Sequence, residues 1–268
     1  VNLCLTDLSA LLLHNRNQQM TTRVILLTGA SGRIGRTFFA ASQNNYRFIL
    51  TDLREPDYAI PAPHRFIVAD LSQPGAAEKL LAEEPVDTVI HLAGIPDAQA
   101  SFDDLLPANI LSTTWILKAA AEHRCRRLVF ASSAQTIEGY PADVQIHPGM
   151  AVSPANLYGV TKCYGEALCA FYASQHGLSC VALRIGAFEP ALDNSLHNAR
   201  DYSAWLSPED AVRLLTGAVE AEKITFFIGY GISDNRFKRF DLTQTREVLG
   251  YTPSDNAFRA FAPGELDY

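Results

Sequence analysis

From residue 23 onward, short apolar runs rich in Val, Ile and Phe alternate with helical stretches at nearly constant spacing. That alternation restricts the fold more than any single motif does. "RVILLT" (23–28), "RFILTD" (47–52), "RFIVAD" (65–70), "VDTVIHL" (86–92), "RLVFAS" (127–132) and "SCVALRI" (179–185) read as strands. They are apolar almost without interruption, which suits strands covered on both faces in a parallel sheet. Stretches near 34–44, 74–84, 107–123 and 156–176 read as helices, with Pro74 and Pro107 at first-turn positions where a missing N–H costs nothing. Strand and helix in strict turn predict the α/β class with a doubly wound parallel sheet.

After residue 186 the rhythm loosens. "FEPALDNSLHNARDY" reads as a long loop, and loops of that length in compact domains often carry function. "SPEDAVRLLTGAVEA" predicts a helix with Ser207 as N-cap, Pro208 in the first turn and Asp210 completing a capping box. "ITFFIG" (224–229) adds a strand and "DLTQTREVLGYTP" a closing helix. With no repeat and no low-complexity linker, residues 187–268 are expected to form a small substrate-binding lobe integrated with a core over 22–186. Residues 1–21 read as an extension. Their apolar run is short, lacks a basic leader and is broken by Asp7, so neither a signal peptide nor a bilayer span is expected.

The net charge of −7 argues against a nucleic-acid groove or an anionic membrane surface, both of which want a basic excess. Cys4, Cys125, Cys163, Cys169 and Cys180 are odd in number and scattered, without a C-x-x-C. A reducing cytoplasm is therefore expected, and no metal site.

"LLTGASGRIGRTFF" puts Gly29, Gly32 and Gly35 between a strand and a helix. Glycines there let the backbone turn tightly and approach a pyrophosphate seated on the helix N-terminus. Asp52 ends the next strand, where a carboxylate accepts hydrogen bonds from a ribose and repels a 2′-phosphate, so NAD is expected over NADP. Arg33 and Arg54 stand nearby as possible 2′-phosphate contacts. "HLAGI" ends the fourth strand in Ala93 and Gly94, small enough for a flat ligand to lie over the sheet edge. His91 reads more readily as a satisfied core histidine than as a catalyst.

Ser132 and Ser133 follow the fifth strand, and Tyr158 and Lys162 share a helix face at four-residue spacing. Alone, such a pair is ambiguous, being compatible with a buried tyrosine beside a surface lysine. Leu157, Val160, Tyr164, Leu168 and Phe171 form an apolar stripe expected to pack inward. A phenol of ordinary pKa ~10 is a poor base at neutral pH, but a neighbouring ammonium and an oxidised nicotinamide lower it.

Together the Gly-x-x-Gly-x-x-Gly loop, Asp52, the serine after strand five and Tyr-x-x-x-Lys resemble the extended short-chain dehydrogenase/reductases, from about residue 22 to "VLGYTP". The resemblance implies a Rossmann-like fold and Ser133, Tyr158 and Lys162 as the catalytic triad. Asn109 matches the asparagine that holds a water beside the lysine. For NAD it implies contacts from the glycine loop with Arg33 and Ile34, from Asp52 and Leu53, from Asp70 and Leu71 at the adenine, and from Leu92, Ala93, Gly94, Tyr158, Lys162 and Ile185. "FASSAQTIEGYP", "LYGVTKCYGEAL", "LRIGAFEP" and "YSAWLSPEDAVRLL" resemble the uronate dehydrogenase group, which oxidises C1 of a hexuronate to a lactone. Arg200 falls where that group grips the substrate carboxylate, and a guanidinium fork suits a planar anion; a solvated loop arginine is the alternative. Pro96, Ala134 and Ala187 stand where Ser, Asn and Ser are expected, and Gln135 replaces a His. Pro96 and Gln135 thus belong to the expected sugar site with Ser133 and Arg200.

Three readings follow: an NAD-dependent dehydrogenase of an acidic aldose, or of a neutral or 6-substituted sugar; an epimerase or dehydratase retaining NAD; and a non-catalytic nucleotide sensor. The partner expected is a small, anionic sugar. A homo-oligomer is expected too, through the small-residue line Cys163, Ala167, Ala170 and Ser174.

Overall fold

The computed structural model describes residues 22–189 and 198–261. The extension 1–21 and the middle of the expected loop, 190–197, lie outside the described residues. Among those described, seven strands form one parallel sheet: β1 (Val24–Thr28), β2 (Arg47–Asp52), β3 (Arg65–Val68), β4 (Thr88–His91), β5 (Arg127–Ser133), β6 (Ser179–Ile185) and β9 (Phe226–Gly231). Their order is β3-β2-β1-β4-β5-β6-β9. The chain runs outward from β1 to β3, then returns to place β4 on the other side of β1, so a crevice opens at the carboxyl ends of β1 and β4.

Successive strand residues serve opposite faces, as the two-residue period dictates. Ile25, Leu27, Phe48, Leu50, Val129, Val181 and Leu183 join one core with α1 (Arg33–Ser42) and α7 (Pro208–Glu220), through Phe38, Phe39, Leu214 and Leu215. Leu26, Ile49, Val89, Leu128, Cys180 and Ala182 join the other with α2 (Ala76–Ala82), α4 (Ser112–Glu122) and α5 (Leu157–His176). Continuous apolar runs were the sequence signature of this double burial. β9 and α7 come from the C-terminal third yet belong to the sheet and its cover. Within the expected lobe over 187–268, β7 (Ala187–Phe188), α6 (Ala199–Ala204), β8 (Trp205–Leu206) and α9 (Ala257–Ala260) gather around the buried Trp205 and Ala257.

Several local expectations change. Pro74 precedes Gly75, the N-cap of α2, so it stands outside the helix. Pro107 does not start its helix, because Ser101 caps α3 (Phe102–Leu105) first, its hydroxyl accepting from Asp104 N at 3.2 Å. The helical run continues through Pro107, which has no N–H to give, and widens into a π-helical turn over Leu106–Leu111 before α4. Ser207 caps α7, accepting from Asp210 N at 3.0 Å. The box is only half made: the Asp210 carboxylate accepts from Ser254 N and Asp255 N instead, tying the chain after α8 (Thr243–Leu249) to α7.

The largest correction concerns α5. Three residues of its apolar stripe face outward, Leu157 at 50%, Val160 at 48% and Phe171 at 48% exposed, while Leu168 packs on the second core and Tyr164 Oη lies 2.7 Å from Thr114 Oγ1. The buried side is Tyr158, Gly159, Thr161, Lys162, Gly165, Glu166, Cys169 and Ala173. Space explains this, since a Cβ on Gly165 would lie 2.2 Å from Cζ of the buried Phe130, so only the small-residue side of the helix can lie flat on β5. Gly165→Ala is expected to destabilise the protein by about 1–3 kcal/mol through overpacking, outweighing alanine's better helix propensity. Urea unfolding checks this; a stabilised variant would mean that the helix can lift without cost.

Candidate active site

A cleft of about 1010 Å³ opens over the switch point. The glycine loop forms its floor. Gly29 turns at φ +68°, and a Cβ there would sit 2.7 Å from Ala93 N. On Gly35 a Cβ would sit 2.4 Å from Gly29 O, so glycine is what lets α1 begin this close to β1. Gly32, the N-cap of α1, sends no side chain to the helix's first amides, and no acidic residue occupies the first turn. An anionic pyrophosphate therefore meets an open, positively polarised helix end. The Asp52 carboxylate accepts from Ser31 N at 2.9 Å and Leu53 N at 2.8 Å, one amide per oxygen, which leaves lone pairs for a ribose. These residues fit a dinucleotide.

Gly29, Gly32, Arg33, Ile34, Gly35, Asp52, Leu53, Asp70, Leu71, Leu92, Ala93, Gly94 and Ile185 all line this cleft. So do Pro96, Ser133, Gln135, Tyr158, Lys162 and Arg200. Asp70 is turned into its own loop, accepting from Ser72 N and Oγ and from Gln73 Nε2, and its pKa is lowered, chiefly by the Ser72 hydroxyl. Asn109 stands behind the wall. Its Oδ1 accepts from Ile95 N at 2.8 Å, and its Nδ2 donates to Ile95 O at 3.2 Å and Thr161 Oγ1 at 3.0 Å. These bonds brace the loop after β4 against α5.

The two serines after β5 separate in role. Ser132 Oγ donates to Glu166 Oε1 at 2.6 Å in the interior, whereas Ser133 faces the cleft and accepts from Gln135 N at 3.1 Å. His91 is the satisfied core histidine: Nδ1 lies 2.9 Å from Thr28 Oγ1 and Nε2 3.2 Å from Thr113 Oγ1, and burial lowers its pKa to about 3.

Tyr158 and Lys162 are both almost fully buried. Lys162 Nζ donates to Ala131 O at 2.8 Å, 5.0 Å from the Phe130 ring centroid and 5.6 Å from that of Tyr158. Burial raises the Tyr158 phenol above its ordinary 10, opposed by the Ser133 hydroxyl. Burial also lowers the Lys162 ammonium, to about 8.

Three charged partners escaped the sequence reading. Glu189 accepts from Arg33 Nη1 and, at 3.1 Å, Nη2, linking the glycine loop to the lobe across the cleft mouth. Glu138 holds Arg200, with Nε–Oε1 at 2.9 Å and a second bond from Nη2 to Oε2. Asp201 lies 3.4 Å from Arg200 Nη1. Arg200 is thus neither solvated nor in a loop, since it stands on α6.

This fold and cleft define a dinucleotide-binding α/β protein. The chain belongs to the NAD dependent epimerase/dehydratase family, whose family model matches residues 25–211. It is 33% identical over 239 residues to the uronate dehydrogenase of Pseudomonas putida, covering 88% of this chain and 86% of that protein. It is 32% identical over 253 residues to the L-arabinose 1-dehydrogenase (NAD(P)(+)) of Haloferax volcanii, covering 87% and 97%. The crystal structure of uronate dehydrogenase from Agrobacterium tumefaciens superposes with a TM-score of 0.80 at 31% identity, over 90% of this chain and 88% of that one.

The buried lysine gives a measurable signature. Unfolded, the ammonium keeps its proton up to 10.5; folded, it releases it near 8. Below pH 8 both states are charged and the folded state bears the whole burial cost. Between pH 8 and 10.5 the unfolded state binds more protons, so this site's contribution to stability rises with pH. The unfolding free energy of the wild type relative to Lys162→Met is expected to rise by about 3 kcal/mol across that window. Urea melts at stepped pH measure it, and a flat difference would show that Nζ is hydrated.

Proposed function

We propose that this protein oxidises C1 of an aldose of the hexuronate kind to its lactone, with NAD as acceptor. The carrying observation is the convergence of Ser133, Tyr158 and Lys162 beside the glycine loop and Asp52 in one cleft. Similarity to a uronate dehydrogenase and an arabinose 1-dehydrogenase supports the sugar class.

In this reading Ser133 Oγ holds the C1 oxygen and Tyr158 takes its proton, while the C1–H bond breaks and a C=O bond forms. NAD held by the glycine loop and Asp52 would supply the hydride acceptor and a positive charge that favours the Tyr158 phenolate. Lys162 stabilises the phenolate at short range. Tyr158 and Lys162 are almost fully buried, so these electrostatic effects are little screened. One aldose and NAD give one lactone, NADH and a proton. Tyr158→Phe is expected to cut NADH formation by at least about 100-fold, with NAD binding retained by calorimetry. Near-normal turnover in that variant would remove Tyr158 as the base. A panel of glucuronate, galacturonate, neutral aldoses and 6-substituted acidic hexoses reads the substrate; bound NAD with no net NADH would favour an epimerase.

Two observations favour a second sugar reading, a neutral aldose. Arg200 is already held by Glu138, and Pro96, Ala134 and Ala187 line the cleft without side-chain hydrogen-bonding groups.

We further read the outward face of α5 as a self-association surface. Leu157, Val160 and Phe171 are each about half exposed there, and Ala167 and Ser174 stand exposed beside them. Val160→Asp is expected to shift the protein toward the monomer in sedimentation; a wild type that is already monomeric would end this reading. The described Cys125, Cys163, Cys169 and Cys180 are free thiols, which supports a reducing compartment such as the cytoplasm.

A further inference from the structure

The guanidinium at the sugar end of the cleft already has a carboxylate in its fork. Glu138 takes Arg200 Nε and Nη2 in a two-pronged arrangement, and Asp201 lies against Nη1. Arg200 and Glu138 side chains are each only 23% exposed, so the pair is partly desolvated. Glu138 follows the 3₁₀ turn Ala134–Thr136 and is thereby fixed relative to Ser133, the residue expected to hold the reacting oxygen. The Arg200 cation lines the cleft, and Glu138 meets it from outside the cleft lining.

This arrangement weighs on the charge of the sugar. A substrate carboxylate must either displace Glu138, leaving a half-buried carboxylate without its partner, or bind beside two carboxylates that share one cation. A neutral sugar meets neither penalty and leaves the ion pair intact. Such a built-in penalty against one ligand sets specificity as effectively as an added contact to the other.

We propose that Glu138 sets the charge selectivity of the sugar site by occupying the Arg200 fork, so that a neutral aldose binds at least as well as the uronate of the same stereochemistry. Glu138 acts through Arg200 and is a positioning residue. The proposal rests on the sugar dehydrogenase reading above and favours, of its two sugars, the neutral aldose.

Calorimetric titration of glucose and of glucuronate into the NADH-saturated protein tests it, because these sugars differ only at C6 and binding is read without turnover. The wild type is expected to bind glucuronate no more tightly than glucose. In Glu138→Gln the glucuronate-to-glucose affinity ratio is expected to rise at least tenfold, about 1.4 kcal/mol. In an Arg200→Met background, Glu138→Gln is expected to leave the ratio unmoved. A merely structural Glu138 would weaken both sugars together and leave the ratio alone. The proposal is overturned by a wild type preferring glucuronate tenfold or more, by an unmoved ratio in Glu138→Gln, or by a rise that persists without Arg200. The wild-type comparison needs no variant and stands even where Glu138→Gln does not fold. NADH formation is measured in parallel with both sugars. Turnover with an unmoved ratio sinks this proposal alone, and a shifted ratio without turnover sinks the dehydrogenase reading alone. No binding of either sugar sinks both.

Discussion

A buried ion pair fixes how the reactive helix lies on the sheet. Arg184 on β6 and Glu166 on α5 are 3% and 5% exposed and joined by two bonds of 2.8 Å. Ser132 on β5 donates to the same carboxylate, and Arg184 Nη1 donates to Tyr230 Oη on β9 at 2.9 Å. Three adjacent strands and one helix therefore meet at a single charged knot. Burying both ions is costly, and the pair is tolerable because the bonds from Arg184 and Ser132 give both carboxylate oxygens partners. Glu166 stands one helical turn beyond Lys162, so the knot sets the rotation of α5 about its axis. Gly165, pressed on the Phe130 ring, sets its height. Rotation and height together bring Tyr158 and Lys162 to the cleft at the level of Ser133.

The two ends of the cleft are made differently. Where the dinucleotide is expected, the determinants are backbone: a positive φ at Gly29, the close packing of Gly35 and a bare helix N-terminus, with Asp52 braced by two amides. Such a site depends on residues that lie close together along the chain. The end proposed for the sugar is made from side chains on β5, its following turn, β7 and α6, gathered by the tertiary fold. It has few polar groups to spare, so each ion pair there weighs heavily on what can bind.

That difference explains what could be read in the sequence. The strands and the glycine loop were legible because continuous apolar runs and G-x-x-G-x-x-G are local signals. The Tyr158–Lys162 spacing was local as well. The direction of α5 was not, because periodicity marks an apolar stripe without saying whether the stripe meets the core or the outside. In this helix the inward side carries Tyr158, Lys162 and Glu166, so the usual assumption failed for Leu157, Val160 and Phe171. The bond between Glu138 and Arg200 spans 62 residues, and no pattern within either segment announces it. Pro107 misled for a related reason, since Ser101 is a stronger start signal and the π turn absorbs the proline inside the run.

Burial also decides when the tyrosine can act. It penalises the charged form of each reactive group, raising the Tyr158 phenol and lowering the Lys162 ammonium to about 8. Lys162 Nζ donates to the Ala131 carbonyl and stands 5.0 Å from the Phe130 ring centroid and 5.6 Å from that of Tyr158. In the mechanism proposed above, a positive charge entering the cleft beside Tyr158 would add to that of Lys162 in favouring the phenolate. The same buried walls that make the resting tyrosine a poor base also let a nearby cation act on it with little screening.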